Sequence, residues 1–144
     1  MTTPTRRLLP TGARRPLAML ALATLLAAAA AHAADTTPQQ QLQRFAGEAG
    51  APADAERGRQ FFAARHGGQW SCASCHGASP LGAGRHDGTG KRIEPLAPAS
   101  NPTAFTNTAR VDKWFRRNCN DVLKRECSAA EKADVLAWLL SLKP

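Results

Sequence analysis

Five consecutive residues, Cys72-Ala73-Ser74-Cys75-His76, constrain this chain more than any other stretch. Two thiols stand one helical turn apart and an imidazole follows directly. C-x-x-C-H is the attachment pattern for haem c: the sulfurs add across the two vinyl groups of one porphyrin, and the histidine reaches the iron from the proximal side. Other chemistries fit the residues less well. A thioredoxin-like C-x-x-C sits beside a strand in a βαβ unit, and no alternating strand pattern precedes Cys72. A zinc site would have to recruit Cys119 and Cys127, whose seven intervening residues are poor zinc spacing.

The 144-residue chain opens with a basic segment, Arg6, Arg7, Arg14 and Arg15, then an apolar run from Leu17 to Ala31. Ala31-His32-Ala33 is an A-x-A cleavage pattern. Residues 1–34 therefore read as a secretory signal peptide, cut after Ala33 or Ala34. The run is short and alanine-rich for a membrane span. Arg6-Arg7 resembles a twin-arginine signal, but haem c is attached to an unfolded chain outside the cytoplasm, which favours the general secretory route. What remains, residues 35–144, is the length of one small domain in the periplasm. Of 19 basic residues four lie in the signal, leaving 15 against 11 acidic, a balance of +4. That is enough to guide docking to an acidic partner. It is no argument for nucleic acid, because no basic run interleaves with aromatics. Nothing in the pattern points beyond a monomer.

Four cysteines in an exported chain are expected to be engaged. Two hold haem, so Cys119 and Cys127 are expected to form a disulfide.

Helical periodicity predicts a short helix over Gln39 to Ala49, with Leu42, Phe45, Ala46 and Ala49 on one face. A second runs from Ala53 to about Arg65, ended by His66-Gly67-Gly68, and carries Gly58, Phe61 and Phe62. Gly77 to Asn107 reads as a long irregular loop on the haem edge, rich in glycine and proline. Its Gly84–Lys91 stretch fails the phosphate-loop spacing and has Arg92 where Ser or Thr is required. A third helix is expected from about Ala109 to Arg117, with Val111, Trp114 and Phe115 either in the core or on the haem. The last begins at the capping box Ser128-Ala129-Ala130-Glu131. The fold class is all-α: four to five short helices around one covalent haem, as in class I cytochromes c, where Gly58 and Phe61 or Phe62 would meet Trp138.

The only methionines, Met1 and Met19, lie in the signal segment, so the mature chain has no methionine for the iron. His66, His86, a lysine, an asparagine or no ligand at all remain for the sixth position. His66 is close to the attachment site and suits a helix end. His86 is a good ligand by chemistry, on a loop that can swing. Asn118 is available too, though asparagine also caps helices.

Arg117-Asn118-Cys119-Asn120 and Arg110-Val111-Asp112-Lys113-Trp114 resemble the SHP-type (sphaeroides haem protein-like) cytochromes c. So do Gly50-Ala51-Pro52-Ala53-Asp54-Ala55-Glu56-Arg57-Gly58-Arg59, Pro95-Leu96-Ala97-Pro98 and Glu131-Lys132-Ala133-Asp134-Val135-Leu136-Ala137-Trp138-Leu139. Ser79 to Asp87 departs from the family pattern, and His86 is no part of it. The resemblance implies His76 and Asn118 as the ferric axial ligands, with Asn118 leaving on reduction to open the iron to oxygen or nitric oxide. It implies a dihaem cytochrome c and a membrane cytochrome b as electron donors. Two rivals stay open: a plain bis-His electron carrier through His86, and a haem enzyme that reduces oxygen or nitrogen oxides.

Overall fold

A computed structural model describes residues 34–144, which form one compact unit. The signal segment read from the sequence therefore lies outside the described residues, all but Ala34. Five helices and one small hairpin follow in order: α1 Pro38–Ala49, α2 Ala55–Ala63, α3 Cys72–His76, β1 Gly84–Arg85, β2 Arg92–Ile93, α4 Thr108–Leu123 and α5 Ala129–Ser141. Among the described residues no helix is long and apolar enough to cross a membrane. The all-α expectation holds, with the two-residue strands of the hairpin as the only sheet among the described residues.

Local chemistry sets the helix ends. Thr37 and Gln40 close a capping box at α1, and Ser128 and Glu131 close the expected one at α5. Asp54 caps α2 by accepting from the Arg57 amide, so α2 starts at Ala55 and not at Ala53. It also stops early, because Ala64 is extended. The larger correction concerns α4. It runs six residues past Arg117, to Leu123, and ends on Lys124 in the left-handed conformation. Asn118 and Cys119 are thus inside the helix, and Asn118 is not its cap.

α5 is the central element, with both α1 and α2 packed on it. Phe45, Val111, Ala133 and Leu136 form one apolar cluster, in which α1, α4 and α5 meet. Phe62, Val135, Trp138 and Leu139 form the other, between α2 and α5. Each fully buried aromatic or leucine side chain in them contributes about 2 kcal/mol. Phe62 meets Trp138 at 4.8 Å between ring centroids, as the sequence led one to expect. That approach requires Gly58: a Cβ there would overlap the Asp134 carbonyl and lie 2.8 Å from the Val135 nitrogen. The Asp134 side chain, buried at the same crossing, accepts from Arg57 Nε at 2.8 Å, Arg57 Nη2 at 2.9 Å and the Asp54 amide at 2.6 Å. A buried carboxylate so bonded is satisfied; stripped of its partners it would be strongly destabilising.

Gln41 is buried despite its polarity, and donates to the hydroxyls of Thr36 and Thr108, both at 3.0 Å. Arg44 links the Gln41 carbonyl oxygen to Asp112, each at 2.6 Å, which fastens α1 to the start of α4.

Gly58→Ala is expected to cost about 3 kcal/mol, because backbone, not a flexible side chain, stands where the methyl would go. Urea unfolding of the holoprotein followed by far-UV circular dichroism measures it; a loss below about 0.5 kcal/mol would mean that α2 and α5 do not cross this closely.

Candidate haem site

The attachment turn α3 is only five residues long and is capped at both ends. The Ser71 hydroxyl accepts from the Ser74 amide at 3.2 Å, and Ser74 Oγ accepts from the Ser71 amide at 3.0 Å. Gly77, at φ 77°, lets the chain leave the helix at once after His76. Cys72 and Cys75 are thereby held at i and i+3 on one helical turn, and no disulfide engages them.

Cys72 and Ala73 pack against the Phe62–Trp138 cluster, alongside Leu96 and Phe105. This apolar surrounding pushes the Cys72 thiol up to about 11, with burial the main cause. A raised thiol of this kind favours its protonated form over the reactive thiolate. Burial also pushes the His76 imidazole below its ordinary value, which keeps it in the neutral form that ligates metal. Its ring lies 6.1 Å from Phe62, centroid to centroid, and its buried Nδ1 has no hydrogen-bond partner among the described residues. An apolar wall, two sulfurs one turn apart and outside any disulfide, and a neutral imidazole beside them fit a covalent haem c. Cys72 and Cys75 would hold the porphyrin and His76 the iron.

α4 carries Asn118, the residue that the family resemblance implies as the second ligand. Asn118 lies three residues from Phe115, seven from Val111 and four from Val122, so these four share one helix face. Phe105 connects this face to the attachment turn: its ring is 6.4 Å from Phe115, and it packs in the cluster that holds Cys72. Nearer the end of α4, the Val122 carbonyl would meet a Cβ on Gly68 at 3.2 Å, so the loop before the turn also rests there.

The chain has four asparagines. Asn101 donates to the Pro95 carbonyl, Asn107 caps α4 through the Arg110 amide, and Asn120 donates to the Arg116 carbonyl. The Asn118 carboxamide alone makes no hydrogen bond to any described residue. Directly after it, buried Cys119 is joined to Cys127 across a Cα separation of 5.5 Å, as expected, and Cys127 leads straight into the cap of α5. Asn118 is therefore carried on a helix stapled to the central element of the fold.

The two described histidines other than His76 have roles in the chain itself. His66 donates from Nε2 to the Phe61 carbonyl at 2.8 Å, and its ring lies tilted against the Phe61 ring at 4.4 Å between centroids. His86 accepts at Nδ1 from the Thr89 amide at 3.2 Å, at the tip of the β1–β2 hairpin. Trp114, expected in the core or on the haem, is 43% exposed, with Arg117 and Lys113 near its ring at 5.5 and 5.9 Å. It points off the buried face of α4 that Val111 and Phe115 occupy. Two residues close to the site carried no usable signal in the sequence. Gly84 lies so close to the attachment turn that a Cβ would overlap the Cys75 carbonyl, and Asp87 contacts Cys75 itself.

A helical fold closed by the α2–α5 crossing, with Gly58 on the Asp134–Val135 backbone and Phe62 on Trp138, around a C-x-x-C-H turn is that of a c-type cytochrome, with one covalently bound haem c as cofactor. Residues 48–139 match the family described as "Domain of unknown function (DUF1924)", and the chain belongs to this family, which here takes the form of an SHP-type cytochrome c. It is 52% identical over 111 residues to the cytochrome c-type protein SHP of Cereibacter sphaeroides, spanning 74% of this chain and 85% of that protein. The solved structure of oxidised SHP, described as an oxygen-binding cytochrome c, superposes with a TM-score of 0.71 at 50% identity, over 75% of this chain and 99% of that one. The solution structure of Methylophilus methylotrophus cytochrome c'', studied for haem-ligand detachment, gives 0.65 at 33% identity, over 74% and 94%.

Denaturing gel electrophoresis should leave the haem stain on the polypeptide. Replacing Cys72 and Cys75 together by alanine should remove it. Haem extracted from the native protein by acidified acetone would contradict attachment through these sulfurs.

Proposed function

We propose that the protein is a periplasmic monohaem electron carrier whose iron opens on reduction to a small diatomic ligand, oxygen or nitric oxide. The observation that carries this reading is the uncommitted carboxamide of Asn118, on a backbone anchored by its neighbour's disulfide, in a chain with no methionine after Met19. The descriptions of SHP as oxygen-binding and of cytochrome c'' as a case of haem-ligand detachment support the same reading.

A bound haem c would supply a one-electron couple and an iron centre able to bind a small ligand. The residues do the rest. His76 is the permanent ligand, held by a capped turn and by Phe62. The Asn118 amide oxygen is a neutral, hard and weak donor, suited to ferric and poorly suited to ferrous iron. Asn118 is let go on reduction, and the Cys119–Cys127 bridge limits how far its backbone can follow. Asn118 would thus be the residue whose departure makes room for the diatomic. Residues 35–144 are the mature domain, reached by export and cleavage of residues 1–34. Electrons come from a dihaem cytochrome c and a membrane cytochrome b, as the family resemblance implies, and the basic balance of the mature chain suits an acidic donor surface. His86 is disfavoured as the ligand because its Nδ1 braces the hairpin tip and its hairpin rests on the attachment turn.

Absorption spectra of two variants test this. Asn118→Ala should turn the ferric protein from six-coordinate low-spin to high-spin and open it to water or azide, with covalent haem retained. His86→Ala should leave both redox states unchanged. A low-spin ferrous haem that responds to His86→Ala and ignores Asn118→Ala would falsify the proposal and leave a bis-His carrier.

A further inference from the structure

The stretch from Ser79 to Asp87, which carries β1, departs from the family pattern in sequence, yet it makes close contacts with the attachment turn. Gly84 places its backbone directly on the Cys75 carbonyl, and a Cβ there would also stand 2.9 Å from the His76 Cα. The tip is braced internally: the His86 amide donates to the Lys91 carbonyl and the Gly90 amide to the His86 carbonyl, both at 2.8 Å. From this tip the Asp87 amide donates to Cys75 Sγ at 3.4 Å. The Asp87 carboxylate in turn accepts from the Trp70 indole Nε1–H at 2.7 Å. Trp70 is itself placed by its surroundings. It immediately precedes the Ser71 cap, and the Lys124 ammonium at the end of α4 lies 6.0 Å from its ring. Beside these contacts an open cleft of about 420 Å³ separates hairpin and turn, lined by Ser74, Cys75, Gly84, Arg85 and Arg92 among others.

We propose that Trp70 and Asp87 are positioning residues for the haem, a latch that acts through the sulfur of Cys75 and keeps the hairpin closed on the attachment turn. The inference rests on Cys75 being a haem attachment point, and a thioether sulfur keeps the lone pairs that accept the Asp87 N–H. An N–H on the sulfur draws electron density from the porphyrin edge, and the Trp70–Asp87 bond holds that N–H in place beside the cleft. This favours the ferrous state, since hydrogen bonding around a metal centre tunes its potential. Opening the latch therefore lowers the reduction potential. The negative charge of Asp87 works in the opposite direction, because a nearby anion favours the ferric state. The latch and the charge can thus be told apart by experiment.

The test is a double-mutant cycle on the holoprotein, read by potentiometric titration and by amide hydrogen exchange. Trp70→Phe keeps an aromatic ring and the Asp87 charge but removes the indole donor. It should shift the ferric-to-ferrous ratio at fixed poise about threefold toward ferric, ~28 mV at 59 mV per tenfold for one electron. The Asp87 amide should exchange faster in this variant than in the native protein. In an Asp87→Ala background, Trp70→Phe should produce no further shift. In an Asp87→Asn background, which keeps an acceptor for the indole, it should still lower the potential. An unchanged potential and unchanged Asp87 exchange in Trp70→Phe would overturn the proposal, as would an equal shift in the Asp87→Ala background. Haem stain retained on every variant polypeptide separates failure of the latch from failure of the attachment assignment.

Discussion

A helix of five residues is not stable by itself, since nucleation alone outweighs what so few hydrogen bonds return. The Cys72–His76 turn nevertheless has to hold two sulfurs and an imidazole in fixed relation to one flat prosthetic group. The rest of the structure supplies what the turn lacks. Ser71 and Ser74 satisfy its first amides, and Gly77 releases the chain behind it. The Phe62–Trp138 cluster packs against Cys72, Phe62 stands beside the His76 ring, and Gly84 backs the Cys75 carbonyl. These supports in turn depend on the α2–α5 crossing, which Gly58 allows and the Arg57–Asp134 pair closes.

The second half of the site, as proposed, is built by different means. α4 presents Asn118 from its interior, where the backbone is already fixed by helical hydrogen bonds, and the disulfide at Cys119 joins that point to the start of α5. In the chain-entropy account a loop this short contributes about 2–3 kcal/mol. For the proposed role of Asn118 position counts for more than stability: a weak amide donor would serve as a switchable ligand only if its backbone stayed put while its side chain let go. A single central helix, α5, therefore organises both sides, through α2 to the attachment turn and through the disulfide to α4.

How much of this could be read from the residues depended on how local the determinant was. C-x-x-C-H, the capping box at Ser128 and the Gly58–Phe62–Trp138 crossing are written in short patterns, and the structure contains all three. The length of α4 was not legible. Asn118 looked like a terminator, and the true end, Lys124, takes a left-handed conformation that its residue type does not announce. Trp114 counted as apolar at helical spacing, but it sits at the border of the buried face with two cations near its ring. Burial of Gln41 was equally hidden, because the hydroxyls that satisfy it lie at Thr36 and on α4. Two-residue strands are too short to show alternation, so the hairpin read as loop. The Trp70–Asp87 contact joins residues seventeen apart, through a bond that no spacing rule encodes.

The proposed function turns on whether the sixth position is empty once the iron is reduced. Stopped-flow mixing of the dithionite-reduced wild-type protein with carbon monoxide tests this most directly. If Asn118 has already left, the observed rate rises in proportion to carbon monoxide concentration across the whole accessible range, because nothing has to dissociate first. A rate that levels off at a fixed ceiling, independent of carbon monoxide concentration, would show that an internal ligand still occupies the ferrous iron and would contradict the account.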